Sequence, residues 1–134
     1  MRNKMKRLMI SLCVMIVFSA SISAVASTVS VTIYTNDDYA DSQTLGCTFL
    51  IDFYGINSSE SSRNLYCELY EDTWGIDPQF FSIALVPGTG SMTGPTWYRI
   101  LYQYSLDEAK LLYVHLDPAG GNSTGCYGAG KLVD

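Results

Sequence analysis

Apolar and polar side chains alternate with a period of two along nearly the whole chain after residue 27, the pattern of strands with one buried face. In the stretch TVSVTIY, Val29, Val31 and Ile33 share one face and Thr28, Ser30, Thr32 and Tyr34 the other. A polar stretch follows, then GCTFLIDFYG, where Cys47, Phe49, Ile51 and Phe53 oppose Thr48, Leu50, Asp52 and Tyr54. After a Ser/Asn-rich loop, NLYCELYED sets Leu65, Cys67 and Leu69 against Tyr66, Glu68 and Tyr70. The run QFFSIALVPG is more continuously apolar, which predicts a strand covered on both sides or central in its sheet. A flexible GTGSMTGP connection leads to TWYRILYQYS, with Tyr98, Ile100, Tyr102 and Tyr104 on one face.

In SLDEAKLLYVHLDP, Ser105 followed by Asp107 and Glu108 could open a helix. The alternation beyond it favours a short turn into a strand, with Leu112, Val114 and Leu116 inward and Leu111, Tyr113 and His115 outward. The glycine-rich tail from Ala119 predicts irregular chain, with a last short strand at KLVD. Six or seven short strands joined by turns every 8 to 15 residues predict an all-β fold, a small antiparallel β-sandwich, because a parallel sheet would need crossover helices. Immunoglobulin-like and jelly-roll-like arrangements both fit, although the cysteine, tryptophan and Tyr-x-Cys spacing of true immunoglobulin domains is missing.

The first 26 residues follow a different pattern. Arg2, Lys4, Lys6 and Arg7 precede an apolar run from Leu8 to about Phe18, and small residues end at Ala24-Val25-Ala26. This is the order of a signal peptide, with cleavage expected after Ala26; a run this short falls below the ~20 residues a membrane span needs. The expected organisation is therefore a leader over 1–26 and one secreted domain over 27–134, in an extracellular, periplasmic or cell-surface setting without membrane insertion after cleavage. Removing the leader leaves Arg63, Arg99, Lys110 and Lys131 against thirteen acids, a formal charge of −9. Such a surface repels phosphate backbones and anionic lipid, so nucleic acid is not an expected partner.

Three cysteines remain in that domain, Cys47, Cys67 and Cys126, and an exported protein usually meets an oxidising compartment. Cys47 and Cys67 fall on the inward faces of consecutive predicted strands, which makes them the favoured disulfide. Cys126 paired with either is the rival, and the sulfur left over is either buried or available to join two copies of the chain.

The catalytic vocabulary is thin. His115 is the sole histidine, Ser91 lacks a nucleophile-elbow context, and no sequence feature links His115 to Ser91 or Cys126. No C-x-x-C or H-x-x-x-H pair offers a metal site. Asn36, Asp37, Asp38 and Asp41 gather oxygens in one loop without the calcium-loop spacing or its glycine, and read as a solvated acidic turn. Neither enzyme activity nor a cofactor is expected.

What stands out is tyrosine. Tyr66 and Tyr70 flank Glu68 on one predicted outward row, and Tyr98 and Tyr102 lie on another. If both rows line one face, they make an aromatic platform suited to sugar rings or a partner chain. Tyrosine is also a strong strand former, and the same rows read as packing. The leading expectation is a non-catalytic binding or adhesion domain holding a glycan or protein through Tyr66, Glu68, Tyr70, Tyr98 and Tyr102. The alternatives are an assembly protein that oligomerises through an edge strand or Cys126, and an exported toxin or inhibitor.

Overall fold

The computed structural model describes residues 27–92 and 99–134. The expected leader and Tyr98 lie outside them. Nine strands among the described residues form two antiparallel sheets, the β-sandwich expected from the alternation. They are β1 (Thr28–Ile33), β2 (Ala40–Asp41), β3 (Leu45–Cys47), β4 (Leu50–Asn57), β5 (Leu65–Glu71), β6 (Gln79–Leu85), β7 (Arg99–Ser105), β8 (Lys110–Pro118) and β9 (Gly128–Val133). The four-stranded sheet runs β1-β9-β4-β7. The five-stranded sheet runs β2-β8-β5-β6, with β3 also paired to β8.

The core lies between the sheets and takes one face of each strand. Ile33, Ile51, Phe53 and Leu132 from the first sheet meet Leu65, Leu69, Leu112, Val114 and Leu116 from the second, all with no exposed surface. Burying a side chain of this size stabilises by roughly 1.5–3 kcal/mol, and the row along β8 is the most regular source.

Four segments depart from the sequence expectation. GCTFLIDFYG is two strands in two sheets: the chain crosses between them at Thr48–Phe49, leaving Phe49 74% exposed. The Asp134 carboxylate holds the crossing, accepting the Thr48 N–H at 2.8 Å and its hydroxyl at 3.2 Å. The apolar run of β6 is an edge strand, not a central one. The register of β5 against β6 skips Phe80, so Phe80 and Phe81 both pack toward the core. Likewise the register of β4 against β7 skips Leu101, and both Leu101 and Tyr102 pack toward the core. Finally, the last strand, expected short at KLVD, begins three residues earlier at Gly128 as β9 and is flanked on both sides, by β1 and β4.

Two bulged edges thus lie on the same side of the sandwich, and aromatic rings close the gap between them. Phe81 stacks on Tyr102 at 4.2 Å, Tyr102 on Tyr104 at 5.7 Å, and Phe80 meets Tyr104 edge-on at 5.6 Å.

The end of β4 is organised by a buried polar side chain. Asn57 has no exposed surface, and its Nδ2 donates to the carbonyls of Arg63 at 2.9 Å and Leu85 at 2.8 Å. Its own carbonyl accepts the N–H groups of Gly88 and Thr89. One residue thereby ties the loop after β4, the end of β6 and the turn that follows.

The sulfurs do not follow the favoured pairing. Cys47 stands opposite Lys110 and Cys67 opposite Leu116, on opposite flanks of β8. Six positions at ~3.3 Å each separate them by about 20 Å along the strand, far beyond the ~7 Å between Cα atoms that a disulfide spans. All three cysteines are free thiols with no exposed surface. Cys126 contacts the carbonyls of Arg63 and Asn64 at 3.5 Å. Burial raises all three thiols, Cys47 to about 11, with Asp134 adding to the shift there and Cys126 and Glu68 adding to it at Cys67. Native protein should therefore resist alkylation at neutral pH, because the thiolate is the nucleophile. All three should react in strong guanidinium. Peptide mapping that finds Cys47 bridged to Cys67 would contradict the register of β8.

Candidate functional site

The outer face of the five-stranded sheet is built by the same alternation that builds the core. With Leu65, Cys67 and Leu69 inward, β5 turns Tyr66, Glu68 and Tyr70 outward; with Leu112, Val114 and Leu116 inward, β8 turns out Tyr113, His115 and Asp117. Register then opposes them directly: Tyr66 with Asp117, Glu68 with His115, and Tyr70 with Tyr113. On one flank β6 sets Ala84, Ser82 and Gln79 beside Tyr66, Glu68 and Tyr70. On the other, the short β2 sets Asp41 beside His115.

The rings form a continuous layer. Tyr39 stacks on His115 with centroids 5.9 Å apart, Tyr70 meets His115 edge-on at 5.6 Å, and Tyr70 stacks on Tyr113 at 5.7 Å. Carboxylates fix their edges. Glu68 accepts from Gln79 Nε2 at 2.7 Å, the Ser82 hydroxyl at 2.9 Å and the Tyr70 hydroxyl at 3.1 Å. His115 Nδ1 and Asp41 share a hydrogen bond of 2.5 Å, and the Tyr113 hydroxyl donates to Asp77 at 3.1 Å.

These contacts set the protonation states. Desolvation, followed by the Glu68 charge and hydrogen bond, raises Tyr70 above its ordinary value; desolvation and the bond to Asp77 push Tyr113 up to about 12. Both hydroxyls stay protonated at neutral pH. Asp117 is raised by desolvation, with Glu68 and Asp38 adding to the shift and His115 opposing it.

Of the residues the sequence singled out, Tyr66, Glu68 and Tyr70 share this face. Tyr102 does not: it sits on β7 in the other sheet, in the aromatic seam between the sheets, half-buried against Phe81. Tyr98 lies outside the described residues. Sequence reasoning missed Tyr39 and Asp117, read Asp41 only as part of an acidic turn, and did not join Tyr113 and His115 to Tyr70. The outward alternation of Tyr113 and His115 was the available signal for that last pair.

Among the described residues no group of three or more His, Cys, Asp or Glu side chains is placed to hold a metal ion. Asp37, in the acidic turn, uses Oδ2 to accept the Tyr34 N–H at 2.9 Å, which closes the turn on itself. The arrangement presents flat π-surface, with the Tyr70 and Tyr113 hydroxyls held by carboxylates. The chain matches no protein-family model, no characterised protein and no solved structure.

Proposed function

We propose that the chain is an exported, non-catalytic binding domain whose ligand, a glycan or a protein, seats on the outer face of the five-stranded sheet. The observation that carries this reading is the unbroken layer of Tyr39, His115, Tyr70 and Tyr113 with Glu68 and Asp41 locked into its edges. The rings are held before any ligand arrives, so little side-chain entropy remains to be lost on contact. Export rests on the basic, apolar and small-residue order of the first 26 residues.

Tyr39 and Tyr66 are the tyrosines of this face most open to solvent, at 56% and 39%. The double substitution Tyr39→Ala, Tyr66→Ala is expected to weaken capture on a printed glycan array, or of a protein ligand in solution, by at least about tenfold, the scale of one aromatic hot spot. The exposed positions should leave the unfolding midpoint nearly unchanged. Phe49→Ala, an exposed aromatic away from this face, serves as the control. A folded double variant with the wild-type binding profile would sink the assignment.

A further inference from the structure

Among the described residues the sandwich has four sheet edges, and they are not equivalent. Those of β6 and β7 are bulged at Phe80 and Leu101, and the edge made by β2 and β3 is broken into pieces of two and three residues. Bulges and short strands are the devices that stop a sheet from pairing with another chain. The fourth edge, β1, carries none of them. It pairs with β9 without a register shift over all six residues and contains no charge, proline or glycine.

The free side of β1 can be assigned residue by residue. The Asp134 N–H donates to the Ser27 carbonyl at 3.0 Å, which makes Ser27 a hydrogen-bonded partner of the neighbouring strand. In an antiparallel ladder such pairs recur at every second residue. Val29, Val31 and Ile33 therefore direct their N–H and C=O groups to β9, while those of Thr28, Ser30 and Thr32 point away from the sheet.

We infer that β1 pairs antiparallel with β1 of a second copy of the chain, about a two-fold axis through Ser30, joining the two four-stranded sheets into one. In this register Thr28 opposes Thr32 of the partner, Ser30 opposes itself, and all six outward N–H groups of the two strands find carbonyls. Val29 meets Val31 of the partner on the core-side face, and Thr28 meets Thr32 on the other, both favourable β-branched cross-strand pairs. Charge permits self-pairing at this edge. Two copies at −9 each repel, and β1 brings no ionisable side chain to oppose its twin. A strand-edge contact is small, so the dimer is concentration-dependent. It leaves the tyrosine face on the other sheet open and does not depend on what that face binds.

Sedimentation velocity of the exported protein from micromolar to millimolar concentration tests the association, and cysteine cross-linking tests the register. In a hydrogen-bonded pair the two Ser30 Cα atoms stand ~5.5 Å apart, within disulfide range. The two copies of Thr32 would be about 13 Å apart, four residues along the strand. Under mild oxidant, Ser30→Cys should give a covalent dimer bridged at position 30, at least tenfold more than Thr32→Cys or wild type. A monomer up to millimolar concentration overturns the inference, whether or not β1 accepts a strand from some other protein. So does a dimer in which Ser30→Cys cross-links no better than Thr32→Cys.

Discussion

Gly128→Ala is expected to destabilise the fold by at least ~3 kcal/mol, the upper range for overpacking a core. It should lower the urea midpoint by roughly 1–3 M at the slopes usual for a domain of this size. A Cβ at position 128 would lie 2.5 Å from the Ile56 carbonyl oxygen and 2.6 Å from Leu65 Cδ2. The side chain can give way, but the carbonyl belongs to β4, which flanks β9, so relief requires the ladder to part. Gly46 in β3 is the comparison. A Cβ there would meet only Leu111 Cδ2 at 3.8 Å, an ordinary contact, and Gly46→Ala should be nearly neutral. Equal urea midpoints for the two variants would show that β9 does not approach β4 as closely as described.

Asn57→Ala should lose about 2–4 kcal/mol, because it strips the carbonyls of Arg63 and Leu85 of a buried donor and leaves a void. Asn57→Asp preserves the shape but aims a carboxyl at the same two carbonyls, and adds a dependence on pH. Burial beside carbonyl oxygens raises the pKa of that carboxyl in the folded state above its unfolded value of about 3.9. The folded state then binds more protons, so stability falls as pH rises from ~4 through the raised value. Urea titrations at acidic and neutral pH should show the deficit of Asn57→Asp growing with pH while that of Asn57→Ala stays level. A flat difference for both would mean that the side chain at position 57 is solvated.

The tests share a theme with what was legible in the sequence. The row Leu112, Val114 and Leu116 announced β8 because each inward position carries a large apolar side chain, and it predicted Tyr113 and His115 outward correctly. The same logic found only the end of β9, at KLVD, because the inward positions before it are Gly128 and Gly130. Sheets packed this closely need glycine there, and glycine carries no hydrophobic signal. Alternation concealed the crossing at Thr48–Phe49, because Cys47 and Ile51 face one core from two different sheets. The bulge at Leu101 reversed the outcome for Tyr102, since strict period two cannot be carried through an extra residue. The site was legible in part for the same reasons. Tyr66, Glu68 and Tyr70 follow from alternation within β5, whereas Asp41 reaches His115 through β2, a strand of two residues with no pattern to read.

The position of β9 also bears on the order of events as the chain is made. Thr28 pairs with Val133 and Asp52 pairs with the same residue from the other side, so the middle of the four-stranded sheet is supplied by the segment synthesised after the other eight strands. Until Gly128–Val133 leaves the ribosome, β1 and β4 have no common neighbour and β1 has no place in its sheet. Contacts across so much sequence pay their loop entropy before any pairing is gained, which makes folding slow relative to local structure formation. The four-stranded sheet is thus unable to close until this segment has been made.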